Sequence, residues 1–298
     1  MLSSQSLRCA GLTLAKWTAT PRIISLLIFI SAFLAYHSHS LVQFAAAEGK
    51  ALTPWVFPHL LTPAMLLVYG SFTLLLFCDA PFMDNHTPFV IIRCGRMSWL
   101  DGQLLYIIMA GLIYSLFFML ASILVLAPNL TFTNDWGTIL KILASNPSAG
   151  RQHNLVLTVF ISEAIVQQFS PLQAMLISLG LFWLTSVFTG FLIFSINLAT
   201  GKTSGLFVAG AFICMTYFSG IQGRFVFGDW ISYLSPLSWA SMHNIRWGGS
   251  ANLVGGLTQP SAAWAVGSLV GSSVLMVVIS RIIFVRQDII IKGGQEHD

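Results

Sequence analysis

Residues 85–104 read NHTPFVIIRCGRMSWLDGQL, and the layout of the chain turns on this stretch. It stands between two long apolar runs, yet it holds Arg93 and Arg96 in a chain with only 8% charged residues. Thr87 can cap a helix start, Pro88 suits the first helical position, and Gly95 stops the helix after about two turns. Ser98 to Asp101, SWLD, fits a capping box at the head of the next apolar run. The reading is a short helical plug over 88–97, apolar in body and basic at its tip. It is joined without slack to a long apolar helix.

Hydrophobic residues make up 56% of the 298 residues, and the mean hydropathy is +0.80. An ordinary soluble domain carries roughly 25% charged residues. So few charges cannot cover a soluble fold of this size, so lipid is the expected solvent. The fold class implied is all-α, a polytopic integral membrane protein, with 1–298 as one transmembrane domain. The net charge of +4 bears on orientation in a membrane and not on nucleic acid. The four cysteines, Cys9, Cys78, Cys94 and Cys214, form no CxxC pair, and neither a zinc site nor a disulfide framework is indicated. The first long apolar run begins only near Ile23 and outlasts a signal-peptide core, so it reads as a retained span.

A spanning helix needs about 20 mostly apolar residues, and the sequence predicts six: 23–45, 55–78, 98–126, 171–199, 205–221 and 262–284. Ser170 to Gln173, SPLQ, offers a serine cap with proline at the first helical position, and Gly201 fits a C-terminal cap. With six spans and an inside start, Arg8, Lys16, Arg22, Arg93, Arg96, Lys202, Arg281, Arg286 and Lys292 fall inside. Lys50, Lys141, Arg151, Arg224 and Arg246 fall outside, spread over longer loops. Positive residues are retained on the inner side, which predicts both termini in the cytoplasm.

Residues 6–18 precede the first span, and helical spacing puts Leu7, Ala10, Leu14 and Trp17 on one face, with Leu12 on the wrong side. This predicts an amphipathic helix lying in the membrane plane. Two outer segments are long. Residues 129–170 show helical periodicity twice, and 223–260 hold Trp230, Tyr233, Trp239 and Trp247. Such aromatics anchor at the membrane–water boundary, so Trp17, Trp230, Trp239 and Trp247 are expected at the interface with Leu7 and Leu14. Each outer segment is expected to hold a half-inserted or in-plane helix.

Enzyme chemistry finds no footing. The ATGKTSG stretch near Lys202 lacks the glycine a phosphate loop requires, because Ile196 stands at that position. There is no H-E-x-x-H or G-x-S-x-G signature. His37 and His39 are two apart and do not share a helix face, so no metal pair is expected. No cofactor is assigned to the chain. Carboxylates are absent from the middle of every predicted span, which argues against ion-coupled transport. Polar residues there, such as Thr73, Tyr114, Ser195 and Asn197, suit helix-packing hydrogen bonds or a weakly polar lining.

The arrangement from residue 6 to 287, and the stretch CDAPFMDNHTPFVIIRCGRMSWLDGQLLYIIM at 78–109, resemble one family. It is the transmembrane permease subunit of ATP-binding-cassette (ABC) transporters of the polysaccharide, drug and lantibiotic exporter class, including permease proteins of Gram-positive bacteria. The resemblance implies that 88–97 is a coupling helix seated on a separate ABC ATPase subunit, which carries ATP and Mg. Its implied contacts are Pro88, Val90, Ile91, Arg93, Arg96, Met97 and Trp99. Residues 6–18 correspond to the family's elbow helix. The resemblance also implies a second permease copy or similar partner, an amphipathic peptide, drug or lipid-like cargo, and a bacterial plasma membrane. The outer segment 129–170 is longer than is usual in that class. It leaves an alternative open: a non-transporting immunity or sensor component that binds an envelope ligand or antimicrobial peptide through this segment.

Overall fold

The computed structural model describes residues 4–83, 87–201, 203–248 and 258–286. These residues are mostly helical, with no strand among them. In chain order α1 (Ser4–Ala15) precedes α2 (Pro21–Ala47), the short α3 (Phe57–Leu60), α4 (Pro63–Phe77), α5 (Thr87–Cys94) and α6 (Arg96–Leu124). Then follow α7 (Gly137–Ser145), α8 (Glu163–Gln168), α9 (Pro171–Thr200), α10 (Ser204–Phe218), α11 (Ile221–Phe227), α12 (Trp230–Tyr233) and α13 (Ala262–Arg286). Lys202 and Lys292, both used to predict orientation, and the chain end after 286 lie outside the described residues.

Four helices, α2, α6, α9 and α13, are long and apolar enough to cross a membrane, the mark of a membrane protein. The expected second and fifth spans are shorter. Residues 55–78 break at Leu61 and Thr62, and only α4 continues. Pro63 opens α4, and a proline drives the residue before it out of the helical region, as the extended Thr62 shows (φ −82°, ψ 156°). The fifth ends at Phe218. Fifteen residues rise about 22 Å, less than a hydrocarbon layer of about 30 Å.

The ends of α9 match expectation. Ser170 accepts from the Gln173 N–H while the Gln173 side chain accepts from the Ser170 N–H, and Gly201 closes the helix at φ +62°. This helix is the hub: two-thirds of its apolar window is buried, and α4, α6, α10 and α13 all pack on it. α13 by contrast buries under a quarter of its window and leaves Val270, Val274 and Val278 exposed.

Helix direction alternates, so the bundle has two ends. At one end the starts of α2 and α6 meet the ends of α4 and α13: Arg22 pairs with Asp79, and Arg281 pairs with Asp101 at 2.6 Å. There Asn197 in α9 donates to the Ala80 carbonyl at 2.8 Å and accepts from the Gly205 N–H at 2.7 Å. The other end is roofed by 129–170. Thr53 donates to the Trp136 carbonyl (2.7 Å), Trp136 donates to the Phe169 carbonyl (3.0 Å), and Thr158 donates to the His37 carbonyl (2.5 Å). The segment is therefore a packed cap tied to α2, with α7 and α8 within it.

α1 lies against α6 at the first end. A Cβ on Gly102 would stand 2.6 Å from the Cβ of Cys9, so the two helices meet at a distance only glycine permits. The Cys9 and Cys94 Sγ atoms lie 3.4 Å apart. In a Cys78→Ser, Cys214→Ser chain, copper phenanthroline is expected to link Cys9 to Cys94, with loss of maleimide labelling at both and recovery on reduction. Undiminished labelling at both sites would show that α1 is not docked beside α5.

Candidate functional site

The plug forms as α5. Gly95 separates it from α6 by one non-helical residue at φ +83°, a conformation that side-chain-bearing residues rarely adopt. The Gly95 N–H closes α5 on the Ile91 carbonyl (2.8 Å), and the Gly95 carbonyl accepts from Trp99 N–H at the start of α6 (3.1 Å). One residue thus serves both helices. The capping box expected at Ser98 to Asp101 does not form. α6 already starts at Arg96, which places Ser98 inside its first turn, and Asp101 is drawn instead to Arg281.

The implied contact residues divide into two groups. Trp99 is 2% exposed and stacks on Phe284 of α13, ring centroids 5.6 Å apart. Arg96 donates to the Phe284 carbonyl at 3.1 Å and holds its guanidinium 5.3 Å from that ring's centroid. A cation on the last carbonyls of a helix complements the helix dipole. Trp99 is therefore unavailable to a partner, and Arg96 is committed to α13. Pro88, Val90 and Ile91 are half-buried, with Val90 and Ile91 against the core. Arg93 and Met97 are exposed.

The outward face also contains Phe89 and Ile92, which were missing from the expected set; Ile92 is 80% exposed. Phe89, Ile92 and Arg93 follow the i, i+3, i+4 rule, so their shared face was readable once its phase was known. The result is a protruding apolar patch with a cation beside it. Among the described residues nothing pairs with Arg93.

α1 turns Ser6, Cys9 and Ala10 to α6, while Leu7 is exposed and Leu14 half-buried. Trp17 donates from its indole to the Tyr106 hydroxyl at 3.0 Å. Of the outer tryptophans, Trp230 is exposed, and Trp247 is half-buried and donates to the Met242 carbonyl at 3.1 Å. Trp239 packs inside the protein. It is buried, with its indole donating to the Ser232 carbonyl at 2.8 Å.

Charge is unequal at the two ends. Among the described residues, Arg8, Lys16, Arg22, Arg93, Arg96, Arg281 and Arg286 at the plug end face only Asp79 and Asp101. The capped end sets Lys50, Lys141, Arg151, Arg224 and Arg246 against Glu48, Asp135, Glu163 and Asp229. No metal-holding group of three or more His, Cys, Asp or Glu occurs among the described residues. At the capped end a cavity of about 650 Å³ opens between the start of α4, the 158–169 segment of the cap, the end of α10 and 242–247.

No protein-family model, curated protein or solved structure matches the chain. The split between committed and outward residues has a measurable consequence. Trp99→Ala is expected to cost about 3–5 kcal/mol, as truncation of a buried tryptophan does. Ile92→Ser should stay within about 0.5 kcal/mol of the parent, as exposed positions do. Thermal unfolding in detergent checks this, and equal losses would mean that α5 is packed inside the bundle.

Proposed function

We propose that the chain is the membrane-embedded permease subunit of an ABC transporter that moves amphipathic cargo. A separate ATPase holds the ATP and Mg, and a second copy or similar permease completes the pathway. The reading is carried by one observation: the exposed patch of Phe89, Ile92, Arg93 and Met97 on a helix tied rigidly to a long apolar helix. An apolar patch beside a lone cation is a common composition for a protein-docking site. The one-residue joint at Gly95 and the lock on Phe284 make α5, α6 and α13 move together. A push on the plug then tilts two helices instead of bending a loop.

In this reading six helices cross the membrane, with α3 and α11 extending α4 and α10 toward the outer surface. The basic plug end lies in the cytoplasm with both termini, in a bacterial plasma membrane. The interior, lined by groups such as Ser195, Ser280, Thr73 and Tyr114 and without carboxylates, suits a cargo carrying little fixed charge at mid-membrane. A second reading has its own observation, the packed cap at 129–170 that walls the cavity. A non-transporting immunity or sensor component would use that surface and would work unchanged with an ATPase-dead partner.

Two measurements test the proposal. In a cysteine-free background, Ser148→Cys should label from outside intact cells with an impermeant maleimide, and Met97→Cys should not. Labelling at Met97→Cys would invert the orientation. Arg93→Lys should keep membrane levels but weaken co-purification of an ABC ATPase, because lysine lacks the guanidinium fork. A headgroup anchor would accept lysine equally, at about 1 kcal/mol per charge. Unchanged association in Arg93→Lys and in Ile92→Ser would remove the plug from the ATPase interface.

A further inference from the structure

The cavity at the capped end is lined mostly by apolar side chains, among them Met65, Phe160, Phe169, Phe218 and Trp247. Its size lies within the usual range for small-molecule sites, about 300–1,000 Å³. Two polar groups in its wall are not fully used. Arg224 is 3% exposed; one Nη donates to the Thr258 carbonyl at 3.2 Å, but its Nε is buried with no hydrogen-bond partner. The nearby acid does not form an ion pair with it. Asp229 spends one carboxylate oxygen on the Thr258 N–H (2.8 Å) and hydroxyl (2.7 Å), and acts on Arg224 only through space. An enclosed guanidinium without a paired anion is costly to maintain.

The second group is His243. Its Nε2 is buried without a hydrogen-bond partner. Enclosure pushes its pKa down to about 4, so at pH 7 the ring is neutral. A neutral imidazole has one N–H donor and one acceptor nitrogen, so Nε2 can take a hydroxyl as its hydrogen-bond partner in either tautomer. The wall therefore offers a cation and, separately, a ring nitrogen that lacks a hydrogen-bond partner. The rest of the cavity has an apolar surface.

We propose that this cavity binds a single-tailed amphiphile whose anionic head carries a hydroxyl, the chemistry of a lysophosphatidate, with the anion on Arg224 and the hydroxyl hydrogen-bonded to His243 Nε2. The tail lies among Met65, Phe160 and Phe218. The inference concerns equilibrium binding and does not depend on an ATPase or on transport. It stands or falls separately from the coupling role of the plug.

The test uses the full chain in nanodiscs and three photoreactive, alkyne-bearing probes of equal tail length. Lysophosphatidate has anion and hydroxyl, palmitate has the anion alone, and hexadecanol has the hydroxyl alone. Lysophosphatidate is expected to label most strongly, with adducts mapping to 158–169 and 217–224. Arg224→Gln should raise the concentration of unlabelled lysophosphatidate needed for competition by about tenfold, the scale of losing a charged hydrogen bond. His243→Leu should lower lysophosphatidate labelling to the palmitate level and leave palmitate unchanged. Ala164→Trp, an exposed position at the cavity wall, should block all labelling while the thermal midpoint stays at the parent value. Hexadecanol labelling equal to lysophosphatidate would overturn the proposal. So would adducts elsewhere, or full labelling of the Ala164→Trp chain.

Discussion

One buried side-chain amide joins the plug end of the bundle. Asn197 reaches from α9 to the Ala80 carbonyl beyond α4 and to the Gly205 N–H that opens α10. Hydrocarbon supplies no hydrogen bonds, so a backbone group freed at a helix end must find a partner inside the protein. Asn197 meets that need for two helix ends at once, and it fixes how α4, α9 and α10 converge. The glycine at 205 is part of the same joint, since a Cβ there would lie 2.6 Å from the Ile193 carbonyl oxygen. The chain leaving this joint through Ala80 leads into the plug.

The plug is therefore held from both sides. Before it, Asn197 fixes Ala80 and Arg22 pairs with Asp79. After it, Arg96 and Trp99 grip Phe284, and Asp101 pairs with Arg281. The Arg281–Asp101 pair is partly exposed and adds little by itself. The stacked Trp99 ring is the stronger link, because it is buried and aromatic. This rigidity gives the outward patch its proposed meaning: a partner that displaces Ile92 and Phe89 displaces α6 and α13 as well.

Much of the fold was legible in the sequence because apolar length is a strong signal and lipid enforces helices. The capping box at Ser170 and the cap at Gly201 were legible too, since both depend on neighbouring residues only. The misreadings share one physical cause. In a chain that is apolar all round, hydropathy does not separate a lipid-facing side from a core-facing side, so helix phase is lost. Phe89 and Ile92 were passed over for Val90 and Ile91 for the same reason. The false box at Ser98 failed because Asp101 has a partner on α13, 180 positions away in sequence. The cavity was invisible because Arg224 and His243 acquire their meaning only from the walls around them.

The central claim is that the outward face of α5 touches an ATPase. Photocrosslinking in native cells tests it most directly, with benzoylphenylalanine placed at Ile92, at the buried Trp99, and at the exposed Leu124 and Val156 of the opposite end. The account predicts an adduct with an ABC ATPase from position 92 alone. An ATPase adduct from 124 or 156, or only lipid adducts from 92, would contradict it.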